Sequence, residues 1–150
     1  MSAVLSDGQI EQLRTEGYVS PVPVLELDEA NELRAKLEAV EARQGGKLEA
    51  HQRNKCHLLF KWLDDLIRDP RILDPIEQVL GPNILCWNTI FWIKDVGSQR
   101  FVSWHQDTKY WGLSSDQVLT AWLALSPASI DSGCMRVMPR THEGEGMPHD

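Results

Sequence analysis

The segment Val102–Asp107, with the sequence VSWHQD, contains the clearest candidates for chemistry. On a β-strand, side chains two residues apart point to the same face, so His105 and Asp107 would lie side by side. An imidazole nitrogen and a carboxylate oxygen placed in this way can hold one cation. They would supply two of the three ligands of a two-histidine, one-carboxylate iron site, which leaves positions open for oxygen and a co-substrate. The same two residues can instead form a simple hydrogen bond at a strand end, and both interpretations stay open at this point.

Composition restricts the classes of protein to which the chain can belong. It has 150 residues, with 15 Lys and Arg against 22 Asp and Glu, and a formal net charge of −7. An acidic chain without a basic run does not favour nucleic acid or an anionic membrane as a partner, because both need a positive surface. Hydrophobic residues make up 42% of the chain, which is too many for a disordered protein and fits one globular domain.

The cysteines and the N-terminus indicate a reducing location. Cys56, Cys86 and Cys134 form no C-x-x-C pair, which excludes a zinc ribbon and a thioredoxin-like motif. The first residues include Asp7 and Glu11 and lack the apolar stretch of a signal peptide. No run of apolar residues approaches the ~18 that a membrane span needs. We therefore expect a cytoplasmic protein.

Helical patterns dominate the chain as far as Leu80. Apolar residues recur at helical spacing, and capping residues and glycines mark the ends. The predicted helices are Asp7–Gly17, with Ser6 or Asp7 as N-cap, Asp28–Gly45, Leu59–Arg68 and Pro75–Leu80. The polar stretch Lys47–Asn54 between them is predicted to be a loop.

After Gly81 and Pro82 the apolar residues follow the pattern of β-strands. Four segments are predicted strands: Ile84–Ile93 (one strand or a pair), Arg100–Trp104, Val118–Leu125 and Cys134–Met138. Helices followed by closely spaced strands indicate an α+β fold with a sandwich or a barrel. A jelly roll has about eight strands, so the strand part is expected to be incomplete.

Short motifs occur in a fixed order along almost the whole chain. They are Gln9–Tyr18, Gly81–Asn83 with Trp87, Asn88 and Lys94, Trp104–Asp107 with Tyr110 and Trp111, Thr120–Leu125, Gly133–Pro139, and Thr141 with His142. In type and order they resemble the phytanoyl-CoA dioxygenase family of Fe(II)/2-oxoglutarate-dependent oxygenases. One position departs from the pattern, because Arg140 stands where the family usually has glycine.

The resemblance implies a double-stranded β-helix, a cupin-like jelly roll, with Fe(II) bound at one end. His105 and Asp107 would be metal ligands, and Gln106 and Trp122 would lie against 2-oxoglutarate. The implied reaction is hydroxylation of an unactivated C–H bond of a small molecule by O2, with decarboxylation of 2-oxoglutarate to succinate. Asp107 favours hydroxylation, because related halogenases have a small apolar residue at the corresponding position.

Two residues that the family requires have no counterpart in residues 1–150: the distal histidine ligand and the arginine that binds the far carboxylate of 2-oxoglutarate. His142 and His149 match a loop before the strands that carry them, and His142 is expected to hydrogen-bond backbone. We therefore expect a single phytanoyl-CoA dioxygenase-like domain, 1–150, that lacks its C-terminal strands, with 1–82 mainly helical and 83–150 mainly strands. Two ligands hold iron weakly, so the chain alone is expected to be inactive. Its unpaired strand edges would favour self-association.

Two other functions remain open from the sequence. One is a non-catalytic remnant, or a binding module, that retains a half-barrel. The other is a cupin-like metal protein that does not use 2-oxoglutarate. A response of the metal-loaded protein to 2-oxoglutarate would separate the enzyme from both.

Several other side chains have simple structural interpretations. Trp87 and Trp92 are expected in the core, as buried tryptophans usually are. Lys55 and His57 are expected in a loop that leads into a helix, although the mouth of a pocket is the alternative. Lys94 is expected in solvent at the end of a strand.

Overall fold

The computed structural model describes residues 4–115, 117–143 and 146. In that part of the chain the regular structure is helical: α1 Asp7–Glu16, α2 Leu27–Gln44, α3 Lys61–Ile67, α4 Pro70–Leu80 and the short α5 Thr108–Trp111, with 3₁₀ turns at Ala50–Gln52 and Cys56–Leu58. Within the same residues, no helix is both long and apolar enough to cross a lipid bilayer.

The ends of α1 and α2 follow from their capping residues. The Ser6 hydroxyl accepts a hydrogen bond from the N–H of Gln9, and the Gln9 side chain accepts the Ser6 N–H at 3.0 Å. Gly17 ends α1 in left-handed backbone with φ +81°, and Gly45 ends α2 with φ +74°. The two predicted helices are confirmed to within about two residues at each end.

Helix α4 begins five residues before its predicted start at Pro75. Asp69 caps it, because its carboxylate accepts the N–H of Arg71 at 2.8 Å. Pro70 takes the first helical position, where the missing N–H has no partner to lose. The predicted start is wrong because Asp69 and Pro70 together form a stronger start signal than Pro75, which lies inside the helix.

The guanidinium of Arg71 joins α4 to α2. Its Nη1 lies 2.9 Å from the Glu29 carboxylate, and its Nη2 lies 2.8 Å from the Asp69 carboxylate. Hydrogen bonds from Arg71 lower the pKa of Glu29 and the pKa of Asp69 below their usual values. One cation therefore serves the cap of α4 and the contact with α2.

Replacing Arg71 by methionine is expected to lower Tm at pH 7 by a few degrees, because both carboxylates lose their cation. A carboxyl group with a depressed folded-state pKa stabilises the fold above its ordinary pKa, and this contribution disappears as the pH falls through the folded-state pKa. The Tm difference between variant and parent should therefore shrink below about pH 4. Thermal melts of both proteins between pH 7 and pH 3 measure this Tm difference. Arg34→Met, which removes an exposed ion pair with Glu38, is the control. A difference that is independent of pH would contradict the assignment.

The buried core of the described chain is formed by residues of its first half, which contains the long helices. Its buried apolar side chains are Leu5, Leu33, Leu48, Cys56 and Leu63. Leu48 belongs to the stretch predicted to be a polar loop, yet it is only 1% exposed. Burial also raises the pKa of the Cys56 thiol, so this cysteine is a poor nucleophile at neutral pH.

The predicted strands form no β-ladder within residues 4–115 and 117–143. The first of them, Ile84–Ile93, makes an isolated antiparallel bridge between Asn54 and Ile90, beside a 3.1 Å hydrogen bond from the Phe91 N–H to the Arg53 carbonyl. A strand obtains its backbone hydrogen bonds from another segment, so an apolar pattern indicates a strand without supplying its partner. The helical part of the α+β prediction is confirmed, and the jelly roll stays a prediction.

Many apolar side chains of these segments are exposed, because no ladder covers them in the described structure. Trp87 is 40% and Trp92 61% exposed, so the prediction that both lie in the core is wrong. Trp62 of α3 instead contacts two phenylalanines, with ring centroids 6.3 Å from Phe60 and 5.9 Å from Phe91. The second contact joins α3 to the segment that follows α4.

Candidate metal site

His105, Gln106 and Asp107 lie in the turn that leads into α5. Asp107 is the N-cap residue and has helical backbone angles, φ −54° and ψ −42°. The sequence pattern predicts a strand here, so the predicted backbone is wrong. The turn nevertheless brings the two predicted ligands together, because His105 Nε2 lies 3.2 Å from Asp107 Oδ1.

Ser103 fixes the orientation and the tautomer of the His105 ring. Nδ1 of the ring lies 2.8 Å from the Ser103 carbonyl oxygen, which can only accept, so Nδ1 carries a proton and donates it. Nε2 is then either protonated, in an imidazolium paired with Asp107, or presents its lone pair to the carboxylate. The second arrangement opposes two electron-pair donors and is favourable only with a cation between them.

A second motif orients the Asp107 carboxylate. The Thr120 hydroxyl donates a hydrogen bond to Oδ2 at 3.1 Å, which leaves Oδ1 facing His105. The side chains of His105 and Asp107 are 31% and 40% exposed, so an ion from solvent can reach them. The sequence-based prediction gave Thr120 no role. A hydroxyl side chain in an otherwise apolar segment was the one signal that could have indicated a hydrogen bond to a polar site.

The last two motifs, Gly133–Pro139 and Thr141 with His142, also contact residues 104–107. The Arg136 guanidinium lies 5.8 Å from the centroid of the Trp104 ring. The Thr141 carbonyl accepts a hydrogen bond from Gln106 Nε2 at 2.7 Å. Together with Thr120, these contacts bring three motifs that are distant in sequence to residues 104–107.

Of the two residues predicted to contact 2-oxoglutarate, Gln106 lies in this turn and Trp122 lies in the segment that contains Thr120. Gln106 sits between the two predicted ligands and donates to the Thr141 carbonyl. Trp122 lies two residues after Thr120 and is 41% exposed. The contact of both side chains with 2-oxoglutarate stays a prediction.

The remaining histidines do not complete a metal cluster in the described chain. His142 Nε2 lies 3.0 Å from the Arg14 carbonyl, which confirms the predicted backbone contact. His149 lies outside the described residues. Among residues 4–115, 117–143 and 146, no three His, Cys, Asp or Glu side chains are grouped closely enough to hold a metal ion.

Lys55 and His57 lie against the Trp87–Phe91 segment, at the start of the 3₁₀ turn Cys56–Leu58. Lys55 Nζ is 4.7 Å from the centroid of the Trp87 ring, and His57 Nδ1 is 2.8 Å from Thr89 Oγ1. The predicted loop leading into a helix is confirmed by the 3₁₀ turn Cys56–Leu58. These residues join the helical part of the chain to the first predicted strand.

Comparison with known proteins identifies the family. The family model for phytanoyl-CoA dioxygenase (PhyH) matches residues 13–150, nearly the whole chain. The chain belongs to the phytanoyl-CoA dioxygenase family. No solved structure gives a significant match.

Curated relatives of this family member are dioxygenases by name. Human peroxisomal phytanoyl-CoA dioxygenase is 38% identical over 85 residues, which cover 54% of this chain and 25% of that protein. The probable alpha-ketoglutarate-dependent hypophosphite dioxygenase of Stutzerimonas stutzeri is 32% identical over 93 residues, covering 62% and 32%. The ectoine dioxygenase of Streptomyces coelicolor is 21% identical over 154 residues, covering 93% and 52%. The chain thus spans between a quarter and about half of these relatives.

Arg140 stands where the sequence resemblance implies glycine, and its backbone conformation is one that glycine adopts without strain. Arg140 has φ +65°, in the left-handed region, which costs an L-residue about 1–2 kcal/mol. Its N–H donates to the Glu16 carbonyl at 2.9 Å, and its guanidinium pairs with the Glu16 carboxylate at 2.8 Å. These contacts offset a strain that glycine would avoid.

Proposed function

We propose that this chain supplies two metal ligands of an Fe(II)/2-oxoglutarate-dependent dioxygenase that hydroxylates an unactivated C–H bond of a small molecule, with decarboxylation of 2-oxoglutarate to succinate. The observation that carries the proposal is the 3.2 Å approach of His105 Nε2 to Asp107 Oδ1 in a member of this family. The Stutzerimonas stutzeri relative is named as a probable alpha-ketoglutarate-dependent dioxygenase, which supports the same co-substrate here.

The two donor atoms fit one divalent metal ion. Nitrogen and oxygen ligands about 2.1 Å from an ion, at a right angle, lie about 3.0 Å apart, which is close to the separation found here. Imidazole nitrogen and carboxylate oxygen are the donor types of non-haem iron sites. Bound iron would supply the activation of O2 that the hydroxylation needs.

The side chains next to the ligands have separate tasks in this proposal. Gln106 and Trp122 contact 2-oxoglutarate, as the family resemblance implies. Asp107 occupies with its carboxylate the position that a halide would need, so the proposed outcome is hydroxylation rather than halogenation. The proposed substrate is a small molecule, consistent with an acidic chain of net charge −7 whose sequence has no basic run of the kind that binds nucleic acid.

The test is an anaerobic titration of the purified chain with Fe(II), followed by 2-oxoglutarate. The parent chain is expected to bind Fe(II) and then to develop a metal-to-ligand charge-transfer band, because the keto acid chelates the metal. Asp107→Ala should lose both signals, since it removes one of two ligands. Asp131→Ala, which removes an exposed turn aspartate, is the matched control and should keep both.

Each other result has a defined meaning. Metal binding without a response to 2-oxoglutarate would replace the proposal by a metal protein that does not use this co-substrate. No metal binding would favour a non-catalytic module. Succinate formation is not expected from the 150-residue chain alone, because residues 1–150 contain no match to the family's distal histidine and arginine.

A further inference from the structure

Residues 140–142 are fastened to the C-terminal end of α1, more than 120 positions away in sequence. The Arg140 N–H donates to the Glu16 carbonyl at 2.9 Å. The Arg140 guanidinium donates to Glu16 Oε1 through Nη2 at 2.8 Å and Nε at 3.0 Å. His142 Nε2 lies 3.0 Å from the Arg14 carbonyl, which can only accept its proton.

The end of α1 is suited to this attachment. The last carbonyls of a helix have no partner within it, and a cation at this end is favoured by the helix dipole. Gly17, the C-cap residue, permits the close approach, because a Cβ atom there would lie 2.4 Å from His142 Nδ1. The segment 140–142 therefore satisfies the end of the helix, and the helix in turn fixes the segment.

The middle residue of the same segment contacts the residue between the two candidate metal ligands. The Thr141 carbonyl accepts the hydrogen bond from Gln106 Nε2 at 2.7 Å. Gln106 lies between His105 and Asp107 in sequence. A continuous series of contacts thus runs from Glu16 through Arg140 and Thr141 to Gln106.

We propose that Glu16 and Arg140 are positioning residues for Gln106. Their ion pair holds residues 140–142 so that the Thr141 carbonyl fixes the Gln106 amide in the orientation that receives 2-oxoglutarate. This inference rests on the proposed function, and neither residue contacts the co-substrate. It also accounts for an arginine in left-handed backbone where glycine would be unstrained.

The competing explanation is an ordinary surface ion pair. The Arg140 side chain is 75% exposed, and exposed ion pairs contribute little to stability. That explanation predicts a small change in stability when the pair is broken and no change at Gln106. A measurement at Gln106 therefore separates the two.

The experiment compares Glu16→Gln and Arg140→Gly with the parent chain. The first readout is the side-chain NH2 resonance of Gln106 in a ¹H–¹⁵N spectrum, assigned by its loss in Gln106→Glu. The second is the dissociation constant of 2-oxoglutarate from the Fe(II)-loaded chain, measured without oxygen. Glu38→Gln, which breaks an exposed pair with Arg34, is the control.

In both variants the Gln106 resonance is expected to move, and 2-oxoglutarate binding to weaken by about three- to tenfold, the effect of one hydrogen bond. Fe(II) affinity should change less than the co-substrate affinity, and Arg140→Lys should restore part of the loss. An unmoved Gln106 resonance, or unchanged 2-oxoglutarate affinity, would overturn the inference. If the parent chain binds no 2-oxoglutarate, the proposed function fails, and the Gln106 resonance alone decides whether the ion pair positions this side chain.

Discussion

Thr120→Val is expected to weaken Fe(II) binding by about 10- to 100-fold, the usual effect of removing a hydrogen bond to a metal ligand. Valine has nearly the shape of threonine but cannot donate to Asp107 Oδ2, which Thr120 does at 3.1 Å. The freed carboxylate can then rotate away from His105 Nε2, so the two donor atoms no longer meet. The loss should appear in calorimetric titration with Fe(II) under anaerobic conditions.

Two further variants make this test specific. Thr120→Ser keeps the hydroxyl and should keep most of the affinity. Thr89→Val removes a hydroxyl that contacts His57, in another part of the chain, and should leave Fe(II) binding unchanged. Equal affinities for Thr120→Val and Thr120→Ser would show that this hydroxyl does not orient the metal ligand.

The candidate site shows what a sequence pattern can and cannot predict. The separation of His105 and Asp107 by one residue predicts that their side chains can meet, and they lie 3.2 Å apart. The reason differs from the predicted one, because a turn rather than a strand brings them together. Thr120 was not predicted, since its contact with Asp107 joins segments 13 residues apart and depends on how the chain folds back.

The same distinction between local and long-range interactions holds across the fold: the sequence predicts features set by neighbouring residues better than features set by distant segments. The ends of α1 depend on Ser6 and Gly17, which act on their immediate neighbours, so the sequence predicts them well. Strand pairing depends on distant segments, and the described chain contains a single isolated bridge at Asn54 and Ile90. The apolar segments of the second half therefore predict β-structure without identifying the partners of each strand.

Leu48→Ala is expected to produce the largest loss of stability of any single change considered, about 2–5 kcal/mol. Leu48 is 1% exposed, and its backbone is fixed on both sides: its N–H donates to Glu41 Oε1 at 3.1 Å, and its carbonyl accepts from Arg53 Nε at 2.8 Å. These bonds prevent the segment from collapsing into the space that the lost side chain leaves, so a cavity should remain.

Urea denaturation of Leu48→Ala and Leu58→Ala makes the comparison, because the same atoms are removed from a side chain that is 72% exposed in the control. Leu58→Ala should change the free energy of unfolding by less than about 0.5 kcal/mol. The difference in the free energy of unfolding between the two variants is then the contribution of burial. The Leu58 side chain stays largely in water in the folded chain, so its truncation loses little burial. Similar losses in both would mean that residues 47–54 are the solvent-exposed loop that their polar composition predicts, and that the core is formed without them.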